Sequence, residues 1–326
     1  MKLATLRDGS RDGRLAVVDR TMTRAVAADG IAGTLQAALD DWASAEPRLR
    51  DLADALERGV AAGAITLDGV DLAAPLPRAY AFIDSSVYLN HMELARALRG
   101  ATVPDSYRRE PLMSLRIGAP FVGPEDALSL PPGDVGLDCE AEIAVIVGDV
   151  PAGTKVDDAS AHIKLVALVN DTSLRTTLAR ELGESRPVYQ GKAPGSMAPF
   201  VVTPDELGTA WTGRMLARPV EVRVNGSLYG EPDAGRDASF NFADLIACAA
   251  ATRPLMTGTV IAAGTVSNRD ATRGSACIAE RRMIETRDLG APKTPYLADG
   301  DQLRIEVHDA DGVSIFGAIH HRVTAV

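Results

Sequence analysis

The chain has 326 residues, of which 46% are hydrophobic and 24% charged, and its formal net charge is −10. Such an acidic balance argues against nucleic acid as a partner, because phosphate backbones select basic surfaces. The composition is typical of a soluble globular protein with enough apolar material for a sizeable core. The length predicts two domains, or one large domain with a smaller appendage.

The start of the chain, MKLATLRDGSRDGRLAVV, lacks the apolar segment of a signal peptide. No stretch reaches the roughly 18 to 20 apolar residues that span a bilayer, so we expect no membrane partner. The three cysteines, Cys139, Cys248 and Cys277, form neither a disulfide framework nor a CxxC zinc pattern. We therefore expect a cytoplasmic protein with unpaired thiols.

Residues 1–77 are predicted to form a small N-terminal domain. KLATLRDG and RLAVVDR indicate a hairpin that turns at SRDG. The next segment, TLQAALDDWASAEPRLRDLADALERGVAAG, indicates two helices separated at Pro47, the second ending near Gly63. Two prolines in LAAPLPRAYAF favour an extended linker into the following domain.

Residues 78–326 are rich in strand-like segments separated by N-G, D-G and G-D turns. Helical patterns cover only 88–98, 173–182 and 241–252, whereas predicted strands include EIAVIVGDV, LVALVNDT, VEVRVNGSLYG, CIAERRMIE and QLRIEVHDA. No GxGxxG follows a first strand and no GxxxxGK[ST] is present, which disfavours a nucleotide-binding fold. The chain is therefore predicted to be α+β and β-rich, with mixed sheets.

Carboxylates stand beside three apolar strand segments. Glu140 and Glu142 alternate in LDCEAEIAVIV, so they project from one face of a strand that continues into the core. Asp84 and Asp171 end two further apolar segments, AYAFI and LVALVN. Buried carboxylates need partners, and a hard divalent cation prefers several oxygen ligands. A solvated strand face, or separate turn and capping residues, would also account for these acids.

Five motifs occur in order along nearly the whole chain: FIDSS with His91 seven residues after Asp84, LDCEAEIAVIVGDVP, LVNDTSLR, Lys192 followed by PFVVTPDELG, and AAGTVSN. With these motifs the sequence resembles the fumarylacetoacetate hydrolase family, especially its bacterial members. The resemblance implies rolled mixed β-sheets around a divalent cation, a smaller N-terminal domain and a homodimer.

The resemblance also implies the ligand set. Asp84, Glu140, Glu142 and Asp171 match the metal ligands, with Mg²⁺ expected first and Mn²⁺ or Ca²⁺ also compatible with carboxylate ligands. Asp138 matches the position before the ligands, and we expect a turn or capping role for it.

Three further residues are expected to act in catalysis. His91 matches the family's catalytic histidine, a residue type suited to general base catalysis near neutral pH. Glu280 is the candidate to orient it, because Glu93 at i+2 on the same helix would not face His91. Lys192 is expected to stabilise a developing oxyanion or enolate.

Leu178 stands where the founding hydrolase carries glutamine, so the far end of the substrate pocket is expected to differ. Arg175 matches within the family motif and is also compatible with a structural ion pair. The predicted substrate contacts are Thr265, Gly264, Arg175, Tyr88 and Phe121.

The implied activity is metal-dependent hydrolysis of a carbon–carbon bond in a small anionic 1,3-dioxo acid. Fumarylacetoacetate or an acylpyruvate, as in aromatic and tyrosine catabolism, would be such a substrate. A decarboxylase, hydratase or isomerase of a 2-oxo acid could use the same metal site. A non-catalytic binding protein is a third possibility, which the four carboxylates and His91 disfavour.

Overall fold

The computed structural model describes residues 1–97, 100–116 and 120–326. The strands are β1 Lys2–Leu6, β2 Arg14–Val18, β3 Arg24–Ala27, β4 Ile65–Thr66, β5 Leu72–Ala73, β6 Ala81–Ser86, β7 Leu112–Arg116, β8 Leu128–Leu130, β9 Leu137–Asp138, β10 Ala141–Val147, β11 Ile163–Asn170, β12 Ser173–Leu174, β13 Ser196–Met197, β14 Val201–Val202, β15 Val220–Val224, β16 Ser227–Gly230, β17 Thr259–Ala262, β18 Gln302–Val307 and β19 Ile319–Ala325. The helices are α1 Leu35–Asp40, α2 Trp42–Glu57, α3 Leu89–Ala97, α4 Val156–Ala159, α5 Arg175–Gly183, α6 Phe242–Ala249 and α7 Ile278–Leu289.

The N-terminal hairpin is confirmed, since β1 and β2 pair antiparallel around the predicted turn. The helix break is not where it was predicted: it falls at Asp41, and Pro47 lies inside α2. Inside a helix a proline removes one backbone hydrogen bond and its ring crowds the preceding turn, which costs about 3 kcal/mol. The apolar face of α2, with Ala45, Leu49 and Leu56 buried, continues past it and keeps the helix intact.

Helix α2 ends at Glu57, and the glycine that terminates it is Gly59, not Gly63 as predicted. Gly59 has a φ of +74°, a left-handed conformation that glycine adopts without strain. Val60 N–H donates to the Ala55 carbonyl at 2.9 Å, and Gly59 N–H donates to that of Leu56 at 3.0 Å. These two bonds are the Schellman pattern, which satisfies the last carbonyls of a helix.

A large mixed sheet organises the molecule. Among the described residues its strand order is β4-β3-β2-β1-β14-β11-β10-β17-β6-β7, with β5 paired to β1 and β13 to β11. The N-terminal strands therefore extend the sheet that contains β10 and β11. Strand β17 pairs antiparallel with β10 and parallel with β6. One edge of the sheet consequently gathers the carboxyl ends of β6, β17 and β11 and the start of β10.

The core lies on both faces of the central strands. Ile143, Val145 and Val147 of β10 join one apolar cluster, and Ala144 and Ile146 join the other. The first cluster also contains apolar residues of a second sheet, ordered β16-β15-β18-β19-β8. Burial on both faces explains why β10 is continuously apolar. The predicted α+β, strand-rich fold with mixed sheets is confirmed.

Helices α3, α5 and α6 cover the three predicted helical segments. The predicted strand CIAERRMIE is wrong, because most of this segment lies in α7. Cys277 accepts a hydrogen bond from Glu280 N–H, and Gly290 ends the helix in the left-handed conformation. The Asp138 carboxylate, distant in sequence, accepts the backbone N–H groups of Ile278 and Ala279. This tertiary cap starts the helix, and no local pattern reveals it.

None of the helices in residues 1–97, 100–116 and 120–326 is long and apolar enough to cross a membrane.

Candidate metal centre and active site

Three carboxylates meet at the edge of the large sheet. Asp84 lies on β6, Glu142 on β10, and Asp171 directly follows β11. One oxygen from each lies within 4.8 Å of those of the other two, and all three side chains are buried. Strand pairing produces this convergence, because neighbouring strands bring their ends to the same edge.

Two oxygens of this group have no hydrogen-bond partner within residues 1–97, 100–116 and 120–326: Asp84 Oδ1 and Glu142 Oε1. The other oxygen of Glu142 accepts the backbone N–H of Gly264 at 3.1 Å. Burial raises the pKa of Asp84 to about 7. Burial and the neighbouring carboxylates raise the pKa of Glu142 well above its ordinary value. With two unpartnered oxygens and only oxygen ligands, this buried group fits a hard divalent cation such as Mg²⁺, Mn²⁺ or Ca²⁺.

Arg116 and Lys192 supply positive charge at the same place. Arg116 is ion-paired with Asp84 and lies 2.9 Å from Asp171 Oδ2. Lys192 Nζ lies 2.5 Å from Asp171 Oδ2 and 2.8 Å from Glu140 Oε1. Although burial lowers it, these two carboxylates raise the pKa of Lys192 above its ordinary value.

The sequence did not single out Arg116. It lies on β7 in SLRIG, a segment without any motif. Asp84 pairs with Ser114 in the β6–β7 register, so Arg116 and Asp84 share one face of the sheet. Only this register reveals the contact.

Glu140 lies beside the group and has protein partners on both oxygens. Oε1 accepts hydrogen bonds from Ser173 at 2.5 Å and Lys192 at 2.8 Å, and lies 2.9 Å from Arg175 Nη2. Oε2 accepts from Thr265 Oγ1 at 2.8 Å. Although burial raises it, the charges of Arg175 and Lys192 hold the pKa of Glu140 well below its ordinary value. The structure thus groups three of the four predicted ligands and directs Glu140 towards these cations and hydroxyls.

Arg175, a predicted substrate contact, is engaged in a buried ion-pair network. Its Nε donates to Asp138 Oδ2 at 2.7 Å, and its Nη2 reaches Glu140. Asp138 in turn caps α7 through Ile278 N–H at 2.7 Å. The Arg175 guanidinium therefore links the start of α7 to the site, and it is paired with two carboxylates, those of Asp138 and Glu140.

His91 and Glu280 form a hydrogen-bonded pair between α3 and α7. His91 Nδ1 lies 2.7 Å from Glu280 Oε2, and the Glu280 side chain is only 1% exposed. With the Nδ1 proton donated to a carboxylate, Nε2 is the ring nitrogen free to accept a proton. Asn90 anchors the start of α3 by donating to Ser267 Oγ at 2.8 Å and to the Asn268 carbonyl at 2.9 Å. This anchor ties the histidine to the segment that follows β17.

Gly264 and Thr265, two predicted substrate contacts, touch the carboxylates directly. Gly264 has a φ of +93°, and a Cβ there would lie 2.3 Å from the Ser85 carbonyl oxygen. Only glycine allows this close approach of β17 to β6, which brings the Gly264 N–H to Glu142. Thr265 donates to Glu140.

The two predicted aromatic contacts lie in different environments. Tyr88 is 1% exposed, and its hydroxyl donates to the Ala234 carbonyl at 2.8 Å. It therefore packs in the core with its hydroxyl hydrogen-bonded to a backbone carbonyl. Phe121 lines a cavity of about 460 Å³ together with Arg116, Asp171 and Lys192.

The loop before Lys192 is held by Glu181, another residue without a sequence motif. The buried Glu181 carboxylate accepts the backbone N–H groups of Tyr189 at 3.0 Å, Gln190 at 2.8 Å and Gly191 at 3.0 Å. Lys192 is the next residue. Glu181 thus positions the lysine through the backbone.

Glu181→Ala would leave those three N–H donors without a protein partner. We expect the free energy of unfolding to fall by about 2 kcal/mol and the loop at 184–191 to become open to proteases. Urea denaturation and limited proteolysis measure the two effects. The exposed Glu184 provides a matched control, since Glu184→Ala should change neither quantity. Equal behaviour of the two variants would show that Glu181 does not hold the loop.

Comparison with known proteins agrees with this architecture. Residues 85–324 match the family model "Fumarylacetoacetate (FAA) hydrolase C-terminal", and residues 1–78 match "Fumarylacetoacetase N-terminal domain 2". A human mitochondrial oxaloacetate tautomerase is 29% identical over 160 residues, 48% of each chain. The match thus spans about half the length of such curated relatives.

Two solved structures show the same fold. A probable 2-hydroxyhepta-2,4-diene-1,7-dioate isomerase from Mycobacterium abscessus superposes with a TM-score of 0.70 at 20% identity, covering 100% of this chain and 99% of that one. A maleylpyruvate hydrolase from Sphingobium sp. SYK-6, in complex with manganese(II) and pyruvate, has a TM-score of 0.66 at 21% identity, with the same coverage. Because the matched family model covers most of the chain, this protein belongs to the fumarylacetoacetate hydrolase family.

Proposed function

We propose that this protein hydrolyses a carbon–carbon bond in a small 1,3-dioxo acid, with a divalent cation held by Asp84, Glu142 and Asp171. The observation that carries the proposal is a buried group of three carboxylates on the same scaffold as the His91–Glu280 pair. The family contains hydrolases, and also isomerases and tautomerases. A cation site with a separate general base suits hydrolysis, because that reaction must both polarise a carbonyl and activate water.

Asp84, Glu142 and Asp171 would hold the divalent cation, which would supply Lewis acidity to the substrate carbonyl group. His91 takes a proton from water, while Glu280 holds the ring and stabilises its charged form. The water oxygen bonds to the acyl carbon, and the carbon–carbon bond breaks. Its electron pair leaves as an enolate, which takes up the proton from His91. Lys192 lies among the carboxylates, where its charge would stabilise the developing negative charge.

The cation, compartment and assembly are further parts of the proposal. We take Mg²⁺ as the native ion, with Mn²⁺ or Ca²⁺ as alternatives that suit carboxylate ligands. Free thiols support a cytoplasmic location.

Strand β7 ends the large sheet and exposes Leu115 by 68%, which suits contact with a second copy in a homodimer. Light scattering at several protein concentrations would measure the assembly.

The second candidate is proton transfer or decarboxylation on a 2-oxo acid. The similarity to an oxaloacetate tautomerase favours it, and a cation with one base is sufficient for that chemistry.

A turnover screen tests both candidates. Fumarylacetoacetate, several acylpyruvates and oxaloacetate are incubated with Mg²⁺ or Mn²⁺, with chelator, and with the ion restored. The proposal expects hydrolysis of at least one dioxo acid that chelator stops and added ion restores. Tautomerisation or decarboxylation without any hydrolysis would favour the second candidate. Absence of activity on every dioxo acid would overturn the proposed hydrolysis.

A further inference from the structure

The cavity of about 460 Å³ beside the proposed site bears on the shape and charge of the substrate. It is continuous with the site, because Arg116, Asp171 and Lys192 form part of its wall. The remaining described lining residues carry no charge. The largest of them are Tyr80, Phe82, Leu115, Phe121, Val188 and Tyr189.

The two cations of this wall are already paired. Lys192 lies within 2.8 Å of Glu140 and Asp171, and Arg116 contacts Asp84 and Asp171. Both lie where the cavity meets the carboxylates, and no other described lining residue could pair with a carboxylate at the far end of the cavity. A second carboxylate on the substrate would there lose water without gaining a counter-ion, which is strongly unfavourable.

The apolar wall is built in advance of any ligand. The rings of Phe82 and Phe121 pack with centroids 5.0 Å apart and an interplanar angle of 55°. A Cβ at Gly195 would come within 3.2 Å of the Phe121 ring, so glycine makes room for that ring. Tyr189 is 63% exposed, and its backbone N–H is held by the Glu181 carboxylate.

We propose that this cavity receives the acyl end of the substrate, and that the substrate is a monocarboxylate with an apolar alkyl or aryl acyl group. This inference rests on the proposed function, and it excludes as preferred substrates those dioxo acids that end in a second carboxylate.

A matched substrate pair tests the inference. Hexanoylpyruvate and adipoylpyruvate have the same chain length and differ in a terminal methyl or carboxylate. With Mn²⁺ present, we expect kcat/KM to favour the hexanoyl compound by at least about tenfold, the scale on which apolar pockets discriminate. Tyr189→Arg places a cation at an exposed position of the wall and should reduce this preference about tenfold. Leu289→Ala, at an exposed apolar position on α7, should leave the preference unchanged.

Phe121→Leu provides a second variant, since Phe121 is packed in the core and a larger truncation risks misfolding. It should lower kcat/KM for the hexanoyl compound and leave that for the adipoyl compound within twofold. An equal or greater preference for the adipoyl compound, or equal losses for both in Phe121→Leu, would overturn the inference.

Binding separates this inference from the proposed hydrolysis. If the turnover screen and both of these compounds show no hydrolysis, the hydrolysis proposal fails, and calorimetry with 2-oxooctanoate and 2-oxooctanedioate then tests the cavity alone. The inference is supported if wild type binds the monoacid more tightly than the diacid and if Tyr189→Arg reduces this preference. Equal binding, or tighter binding of the diacid, refutes it.

Discussion

Glu142→Gln is expected to abolish binding of the divalent cation without destabilising the metal-free protein. The amide keeps an oxygen that can accept the Gly264 N–H, so the local backbone is preserved. It removes one of three buried carboxyl groups that repel one another. Folding raises the pKa of the Glu142 carboxyl group. Such a group destabilises the folded state at pH values above its ordinary pKa, because the charged form is less favourable in the folded protein. At pH 8 the variant should therefore unfold at the same temperature as metal-free wild type, or at a higher one.

Thermal unfolding with and without Mn²⁺ measures both parts of this prediction. At a hundredfold excess over the dissociation constant, the ion should stabilise wild type by about 2.7 kcal/mol and the variant hardly at all. Turnover should fall about a thousandfold, since Lewis-acid catalysis contributes several kcal/mol. The exposed Glu125 provides the control, because Glu125→Gln should keep both the thermal shift and turnover. A Glu142→Gln variant that retains the Mn²⁺ shift would remove Glu142 from the proposed ligand set.

His91→Ala is expected to stop hydrolysis while leaving cation binding intact. The histidine contacts Glu280 and none of the three grouped carboxylates in the hydrogen bonds described here. General base catalysis contributes about 10² to 10⁴ in rate, so hydrolysis should fall by a factor in that range. A simple cation-driven decarboxylation of oxaloacetate needs no activated water and should persist in part. The ratio of the hydrolysis rate to the decarboxylation rate, measured on one preparation, should therefore be lower in His91→Ala than in wild type.

The partner of the histidine can be tested in the same assay. Glu280→Gln should lower hydrolysis, because the amide no longer stabilises the charged ring. Glu93→Gln is the control, because Glu93 lies near His91 on α3 but pairs with Arg108 and Arg269 on the surface, both at 3.0 Å. It should leave hydrolysis and calorimetric Mn²⁺ affinity unchanged. Proportional losses of hydrolysis and decarboxylation in His91→Ala would contradict a specific role of His91 in activating water.

Much of the site follows from local sequence. Asp84, Glu142 and Asp171 each stand at an end of an apolar strand in the sequence. Their grouping could be expected from this, because the ends of neighbouring strands meet at one edge of a sheet. The alternation of Glu140 and Glu142 correctly indicated side chains beside a core. The family motif order predicted the fold. Spacing within one element is a short-range property, and the chain encodes it directly.

Contacts across the sheet could not be predicted in this way. Glu140 has the same local pattern as Glu142, yet Arg175 and Lys192 occupy its oxygens. Arg116 reaches the site only through the register of β7 on β6. The start of α7 depends on a carboxylate from β9, so its local sequence was interpreted as a strand.

The sequence by itself therefore determined which carboxylates stand at strand ends, and it indicated the histidine that follows one of them. Tertiary structure alone decided which of these acids lie together, which arginine and lysine side chains pair with them, and that Glu280 faces His91. The physical reason is that charge neutralisation depends on distances of a few ångströms between groups far apart in the chain. Strand register and helix packing set those distances, and local periodicity carries no information about them.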